Sequence, residues 1–210
     1  YVPAGEFLMG SADNEGYSDE QPQHTVYLDG YWIMQTEVTN AQYGKCVAAG
    51  ACSAPNNSAW QDAARRQEPV TNVGWEQAQA FAHWLGGALP TEAQWEKACR
   101  GLYGGVYPWG NTFDATRLNT SALTDVGSYP QGAGPYGALD MAGNVWEWTS
   151  DAYVNSYANA SNDGNVAVRG EDSSHRVLRG GSWYYDAEDL RSARRSGGSP
   201  GLRNYDVGFR

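Results

Sequence analysis

The sequence predicts an α+β domain, with short strands at both ends of the chain and about three helices between them. Three observations support this: apolar residues alternate near both ends, helix-capping signals occur in the middle, and glycine and proline are frequent. The chain has 210 residues, including 26 glycines and 9 prolines, and 13% of its residues are aromatic. We therefore expect one domain over residues 1–210, built of small twisted antiparallel sheets and much irregular loop.

The first 35 residues contain three strand-like runs. "VPAGEFLMGS" alternates apolar and small residues and ends in a glycine turn. Residues 25–28 and 31–35 are two further runs, and Asp29-Gly30 joins them. Because Asp-Gly between apolar runs is a strong β-hairpin signal, these two runs are predicted to pair with each other.

Capping signals and an apolar stripe predict three helices in the middle of the chain. A capping box opens the first helix at Thr39, and this helix is expected to end near Gly50. Residues 75–85 carry an apolar stripe at helical spacing and are followed by two glycines. The third helix lies in "LPTEAQWEKACRG", with Thr91 as its cap.

After the third helix, regular periodicity disappears. Residues 103–137 consist mostly of Gly, Pro, Asn, Ser, Thr and aromatic residues, which is typical of long irregular structure. The segments "MAGNVWEWTSD", "HRVLRGGSW" and "VGFR" then supply short strand candidates.

Charge and hydropathy exclude two classes of partner. The formal net charge is −10 and the chain has no run of Lys or Arg, whereas a nucleic-acid binder needs a basic face. No apolar stretch is long enough to cross a bilayer and no signal peptide is visible, so we expect no membrane insertion in this segment. An acidic chain is suited to solubility and to holding divalent cations.

The three cysteines divide into a close pair and a single residue. Cys46 and Cys52 flank a short loop and could form a local disulfide, which would favour an oxidising compartment. Two reduced thiols at a helix end are the alternative. Cys99 lies among apolar neighbours of the third helix and is interpreted as a small buried side chain.

Eight motifs in a fixed order carry a resemblance to a known family. They are "PAGEFLMGS", "EVTNAQY", "PVTNVGWEQAQAFAHWL", "LPTEAQWEKACRG", "YPWGN", "YGALDMAGNVWEWTSD", "RVLRGGSW" and "GFR". Together they resemble the formylglycine-generating-enzyme type of domain, also called the sulfatase-modifying factor domain, from Tyr1 to Arg210. The resemblance implies the C-type lectin fold in the subtype of that enzyme.

The resemblance does not imply the oxidase activity of the family. The oxygen-using enzyme binds copper through two cysteines that follow its RGGS motif, and those positions fall within residues 184–190 here. The segment "YYDAEDL" contains no cysteine, and copper(I) needs soft thiolate ligands. A related branch of iron-dependent sulfoxide synthases uses clustered histidines, whereas His24, His83 and His175 are far apart in this sequence. We therefore expect a protein that is not an enzyme.

The resemblance also implies one structural calcium ion. The matching positions are Asp140 and Glu147, which would bind through their carboxylates, and Gly143 and Val145, which would bind through their backbone carbonyls. Calcium prefers hard oxygen ligands of this kind. The alternative is that Glu147 merely ends a strand and Asp140 caps a turn.

Within this fold, one group of proteins has a C-terminal region diversified by retroelements, and residues 179–210 look like such a variable region. In these systems, adenines of the template are mutated, so that Asn codons become codons for many amino acids. The predicted variable, ligand-binding positions are Tyr184, Tyr185, Asp186, Asp189, Arg194, Ser196, Gly197, Gly198, Ser199, Gly201, Leu202, Asn204, Tyr205 and Asp206. All of these residue types are reachable from Asn or Asp codons ending in C or T by adenine changes alone.

The residues between the variable positions would form a constant frame. Trp183, Leu190 and Phe209 are expected to be buried, and Arg191, Arg195 and Arg203 to hold irregular backbone through hydrogen bonds to carbonyls. Tyrosine offers a large stiff contact area, while Ser, Gly and Asn adapt their hydrogen bonds, as in antigen-binding loops. Arg194 could add a charged anchor.

The main hypothesis is thus a non-catalytic, receptor-like variable protein that binds a protein or a cell-surface ligand. A virion or cell surface is favoured over the cytoplasm. One alternative is an inactive accessory or sensor member of the formylglycine-generating family, and another is a metal-dependent oxidase that uses unidentified residues. A fourth interpretation is that residues 184–206 form an ordinary surface loop without a partner.

Overall fold

A computed structural model describes residues 1–164 and 174–210, and in this part of the chain two strands precede three helices and four further strands. The strands are β1 (Gly5–Met9), β2 (His24–Leu28), β3 (Trp146–Ala152), β4 (Arg176–Arg179), β5 (Arg195–Gly198) and β6 (Val207–Phe209). The helices are α1 (Asn40–Ala48), α2 (Trp75–Trp84) and α3 (Glu92–Arg100). Single 3-10 turns occur at Ser18–Glu20, Ala59–Gln61, Ala63–Arg65 and Pro130–Gly132.

The first sheet is an antiparallel pair of β1 and β2, with Gly5 opposite Leu28. Val2 and Tyr31 form an isolated bridge that continues the same register beyond the two strands. The predicted hairpin between residues 25–28 and 31–35 is therefore wrong. The chain passes straight through Asp29-Gly30 because its pairing partner is the N-terminal segment.

All three predicted helices are present, and side-chain caps begin them. In α1, Thr39 Oγ1 accepts from the backbone N–H of Gln42 at 3.2 Å, while Gln42 Oε1 accepts from the N–H of Thr39 at 2.8 Å. Thr91 and Gln94 repeat this capping box at the start of α3. These bonds satisfy backbone donors that the first helical turn leaves unpaired.

The second sheet has the strand order β5-β4-β3-β6. β4 is antiparallel to both β3 and β5, but β6 is parallel to β3, with Val207 opposite Trp146. The sheet is therefore mixed, where an antiparallel one was predicted, and β5 lies outside the predicted strands. The α+β class and the small sheets are confirmed.

Aromatic side chains fill the core between the second sheet and the helices. Tyr43 of α1, Phe81 of α2 and Phe209 of β6 are all buried and stack in a chain of ring contacts. Trp148 of β3 is fully buried, and its Nε1 donates to the carbonyl of Val73 at 3.1 Å. This core fixes the sheet from which the C-terminal segment extends.

No helix in the described parts of the chain is long and apolar enough to cross a membrane.

Candidate ligand-binding surface

The C-terminal segment, residues 179–210, enters and leaves the second sheet at defined points. Arg179 ends β4 and lies opposite Arg195, the first residue of β5. The chain leaves this hairpin after Gly198 and returns to the sheet as β6 at Val207. Two irregular loops, residues 180–194 and 199–206, are thus each held at both ends by strand pairing.

A buried arginine holds the first loop from inside. Arg179 is fully buried, and its Nη1 donates to the carbonyls of Ala193 at 2.7 Å and Arg194 at 2.6 Å, while its Nη2 donates to that of Ser192 at 3.2 Å. The same guanidinium pairs with the buried carboxylate of Glu96 on α3. Burial alone would lower the pKa of Arg179, but Glu96, Tyr157 and Glu92 together outweigh it and raise the pKa, so the arginine stays charged.

Arg195 holds the start of β5 in a similar way. Its Nε and Nη2 each lie 2.8 Å from an oxygen of Glu92, and its Nη1 donates to the carbonyls of Asp19 and Val154. Tyr157 also donates to Glu92, at 2.9 Å. Burial raises the pKa of the Glu92 carboxyl, but the neighbouring guanidinium groups outweigh burial and keep that pKa below its ordinary value.

A third arginine ties the segment to the N-terminal loop. Arg191 donates from both terminal nitrogens to the fully buried carboxylate of Glu20, at 2.7 and 2.6 Å. Ser11 Oγ donates to the same carboxylate at 2.6 Å. Burial raises the pKa of Glu20, but these hydrogen bonds and the Arg191 charge bring it below its ordinary value.

The frame arginines differ in part from the prediction. Arg195 does donate to backbone carbonyls, but Arg191 binds a carboxylate and Arg203 donates to the side-chain oxygen of Gln77 at 2.9 Å. Arg179, for which no such contact was predicted, donates to three carbonyls of the first loop. Leu190 and Phe209 are buried, as expected, whereas Trp183 is only half-buried.

Most of the fourteen predicted variable positions reach the surface. Six of them are exposed, namely Tyr184, Tyr185, Asp186, Ser199, Gly201 and Tyr205, and the exposed fraction of Tyr184 is 70%. Six are half-buried, namely Asp189, Arg194, Ser196, Gly197, Leu202 and Asn204. A partner could therefore contact side chains from both loops.

The remaining two predicted variable positions are buried. Asp206 is 3% exposed, its Oδ2 accepts from Ser182 Oγ at 3.0 Å, and burial raises its pKa. Gly198 is packed so tightly that an added Cβ would lie 2.8 Å from Trp148 and 3.0 Å from Leu178. Both positions behave as frame rather than as contact residues.

Arg194 is not the free charged anchor that was expected. Its Nε lies 2.7 Å from Asp189 Oδ1, and its guanidinium lies 4.3 Å from the ring centroid of Tyr17. Two predicted variable positions therefore pair with each other, against a constant tyrosine of the N-terminal loop.

The exposed aromatic residues of the segment form one continuous patch. This tyrosine surface consists of Trp183, Tyr184, Tyr185 and Tyr205, with ring centroids of neighbours 5.7 to 6.1 Å apart. Tyr185 also packs edge-on against buried Trp146, at 5.5 Å. Among the described residues, the indole N–H of Trp183 has no hydrogen-bond partner.

A recess of about 330 Å³ adjoins the tyrosine surface. Trp183 and Tyr205 form one side of it. The other side comes from residues 57–59, Arg65, Thr71, Asn72 and Leu123, which lie far earlier in the sequence. The candidate surface thus has a part outside residues 179–210 that the sequence patterns did not indicate.

The predicted calcium ligands lie in a buried acidic region. Asp140 Oδ2 accepts from the N–H of Gly127 at 2.6 Å, and Asp140 has a positive φ of 57°. Both oxygens of Glu147 accept from Arg210, at 2.5 and 2.6 Å, and one also accepts from Trp95 Nε1 at 2.9 Å. Gly143 and Val145 lie between these two acidic residues in the sequence, and both are buried.

Glu37 adds a third carboxylate to this region. It is fully buried, and within the described part of the chain its Oε2 has no hydrogen-bond partner. Burial and the charges of Asp140 and Glu147 raise its pKa well above the ordinary value. Three carboxylates thus face one guanidinium, that of Arg210. Arg210 already engages both oxygens of Glu147.

The positions of the copper-binding cysteines hold no soft ligand. Residues 184–190 contain neither cysteine nor histidine, and among the described residues no three His, Cys, Asp or Glu side chains converge as around a metal ion. Burial raises the pKa of the Cys99 thiol to about 12, so this residue stays protonated. The three histidines lie on β2, on α2 and just before β4.

Cys46 and Cys52 form a disulfide in the structure, with their Cα atoms 5.3 Å apart. It closes the loop after α1, far along the chain from residues 179–210.

Comparison with known proteins agrees with this architecture. The fold is α+β and C-type-lectin-like, and the family follows from the sequence. Residues 1–210 match the sulfatase-modifying factor enzyme 1-like domain, and the chain belongs to this family.

Curated relatives include both active and inactive proteins. The chain is 33% identical to the formylglycine-generating enzyme of Streptomyces coelicolor, over 100% of this chain and 87% of that protein. It is 36% identical to the inactive C-alpha-formylglycine-generating enzyme 2 of Mus musculus, over 100% and 83%. It is also 36% identical to the serine/threonine-protein kinase pkn1 of Chlamydia caviae, but it spans only 37% of that protein's length.

Two solved structures resemble the whole chain. PvdO from Pseudomonas aeruginosa aligns with a TM-score of 0.81 and 26% identity, over 99% of this chain and 90% of that one. Treponema denticola variable protein 1 aligns with a TM-score of 0.77 and 26% identity, over 99% and 91%. The expected family is confirmed, and a variable protein stands among its structural neighbours.

Proposed function

We propose that this chain is a non-catalytic binding domain whose C-terminal segment is a variable region diversified by a retroelement. Its tyrosine surface and the two loops of residues 180–194 and 199–206 would contact a protein or another surface ligand. We place the protein on a virion or cell surface, because a diversified binding face is useful where foreign partners are met.

The observation that carries this proposal is that some residues of the segment hold its backbone while others form its surface. Arg179, Arg191 and Arg195 are tied to buried carboxylates of other elements, while six predicted variable positions are exposed, three of them before Arg191 and three after Arg195. Side chains exposed in this way contribute little to stability, so they can be exchanged without unfolding the domain. The structural likeness to a variable protein adds support.

Sequencing sibling copies of the gene tests the proposal directly. We expect a nearby reverse transcriptase gene and a near-identical template repeat, with substitutions concentrated at adenine-containing codons of the exposed positions. Substitutions scattered evenly over residues 1–210, or equally frequent at Arg179 and Tyr184, would refute diversification.

We further propose that a calcium ion binds Asp140, Glu147 and the carbonyls of Gly143 and Val145. The unpartnered oxygen of Glu37 and the excess negative charge around it support a cation here. Calcium should raise the melting temperature of the metal-free protein, and Asp140→Ala should abolish that rise. Asp13→Ala, in an exposed turn, is the control variant, and calcium should raise its melting temperature as much as that of the unaltered protein. No rise in the unaltered protein would contradict the site.

An inactive accessory or sensor role within the formylglycine-generating family is the second candidate. The inactive mouse relative, which matches the full length of this chain, favours it. In that case sibling genes should show no concentration of changes in residues 184–206.

An oxidase that uses other residues is the third candidate. Oxygen uptake in the presence of copper or iron and a thiol-containing peptide tests it. We expect no sustained turnover, because the positions of the copper-binding cysteines carry no thiolate, and sustained turnover would overturn the non-enzymatic proposal.

A further inference from the structure

The recess beside the tyrosine surface has an aromatic side and a polar side. The rings of Trp183 and Tyr205 lie 6.0 Å apart and line one side. On the other side, the side-chain N–H groups of Asn57 and Asn72 both donate to Thr71, at 3.3 to 3.4 Å. These amide donors are therefore already used within the protein.

Charges of both signs lie near the recess. Arg65 lines it, but Nε and Nη2 of this arginine each lie 2.7 Å from one oxygen of Glu68, which compensates its charge. Asp206 follows Tyr205 in the chain, and within the described residues its Oδ1 is buried without a partner. Burial raises the pKa of Tyr185, and the charge of Asp206 is the next largest influence in the same direction. The Asp206 carboxylate therefore lies close to the tyrosine surface.

We propose that this recess receives a lysine or arginine side chain of the partner, an inference that rests on the proposed binding function. The cation would sit against the ring faces of Trp183 and Tyr205, where the negative face of an aromatic ring attracts positive charge. The Asp206 carboxylate, whose Oδ1 has no partner among the described residues, and the net charge of −10 favour the same kind of ligand.

The recess would make one part of recognition constant. Seven of its nine lining residues lie outside residues 179–210, so sibling proteins with different variable residues would keep them. Position 205 would tune the affinity, because an aromatic residue there gives a second ring face and a small residue removes it. The two loops would then supply the remaining, changeable contacts.

Titration with short peptides tests the cation site. The probe is acetyl-Gly-Lys-Gly-amide, compared with the same peptide carrying norleucine or glutamate in place of lysine. The readout is the chemical shift of the Trp183 indole N–H, which also gives the dissociation constant. We expect the lysine peptide to shift this signal and to bind about threefold to tenfold more tightly than the norleucine peptide, in line with exposed cation–π contacts.

Two variants locate the binding energy. Tyr205→Leu should weaken binding of the lysine peptide by about threefold or more, since it removes one ring face. Asp206→Asn should weaken it as well, because it removes the charge and keeps the shape. Tyr27→Leu is the matched control, because Tyr27 is a similarly exposed tyrosine on β2, and it should leave binding unchanged. The melting temperature of each variant shows whether it is folded.

Three results would overturn the inference. Equal binding of the norleucine peptide would mean that the recess selects apolar groups, and tighter binding of the glutamate peptide would mean that Arg65 governs it. No shift of the Trp183 signal up to the solubility limit of the lysine peptide would also refute it. None of these results touches the proposed function, which depends on where sibling genes vary.

Discussion

Buried arginines and exposed tyrosines alternate along residues 179–210, but their roles differ. Arg179 and Arg195 are fully buried and bonded to carboxylates of α3, whereas Tyr184 and Tyr205 are 70% and 52% exposed. Loop shape is thus set by side chains that point inward, and what the loop displays is set by those that point outward. This separation lets one set vary while the other keeps the backbone in place.

Removal of a buried frame arginine should have the largest effect. Arg179→Leu leaves the carboxylate of Glu96 short of a partner and frees the carbonyls of residues 192–194. We expect the free energy of unfolding to fall by about 3 to 5 kcal/mol, measured by urea denaturation. Arg203→Leu is the matched control, since Arg203 is exposed and donates to the uncharged side chain of Gln77, and it should cost about 1 kcal/mol or less. Equal losses in both variants would break the comparison.

Substitution of two glycines in the segment should distinguish a position that is packed against the core from one at the surface. Gly198→Ala places a Cβ against Trp148 and Leu178 and should destabilise the protein by about 1 to 3 kcal/mol. Around Gly201 the space is open, so Gly201→Ala should change stability by no more than about 0.5 kcal/mol. Thermal unfolding of both variants checks this, and a tolerated Gly198→Ala would return position 198 to the variable set.

The Glu20–Arg191 pair should make part of the frame sensitive to acid. Because the pKa of Glu20 is lowered by folding, its stabilisation is present above the ordinary glutamate pKa of about 4.3 and is lost as pH falls through the folded value. Glu20→Gln should cost about 1 to 2 kcal/mol at neutral pH. The difference between the two proteins should shrink below about pH 4, as followed by urea unfolding at several pH values. A gap that does not change with pH would exclude this charge effect.

The smallest effect is expected at the displayed tyrosines. Tyr184→Ser and Tyr205→Ser should each change the free energy of unfolding by about 0.5 kcal/mol or less, since both side chains are largely exposed. Differential scanning calorimetry is sufficient for this measurement. A loss comparable with that of Gly198→Ala would show that the tyrosine surface supports the fold.

Local signals in the sequence predicted local structure well. The capping boxes at Thr39 and Thr91 begin α1 and α3 as expected, because both partners of each box lie within one helical turn. The hairpin at Asp29-Gly30 was predicted by the same kind of local signal, but pairing with the N-terminal segment overrode it. A turn motif allows the chain to reverse direction, but it does not determine which segment the preceding strand pairs with.

The interior of the candidate site could not be predicted from sequence spacing. Arg191 and Glu20 are 171 positions apart, and Arg195 and Glu92 are 103 apart, so no periodicity connects them. The motif resemblance located the segment, and residue types indicated what it might display. Burial of Gly198 and Asp206, and the recess built with residues 57–72, depend on how distant parts of the chain meet.

The ladder between β4 and β5 has a consequence for how such a gene can change. Arg179 faces Arg195 and Arg176 faces Gly198 in an unbroken register, so the fifteen residues from 180 to 194 are a fixed length of chain. If an inserted or deleted codon there shifted the pairing of β5 by one residue, Arg195 would turn to the other side of the sheet, away from Glu92. Copying errors that exchange letters at the exposed positions leave this pairing untouched, while those that add or drop three letters change the length of chain that must connect the two strands.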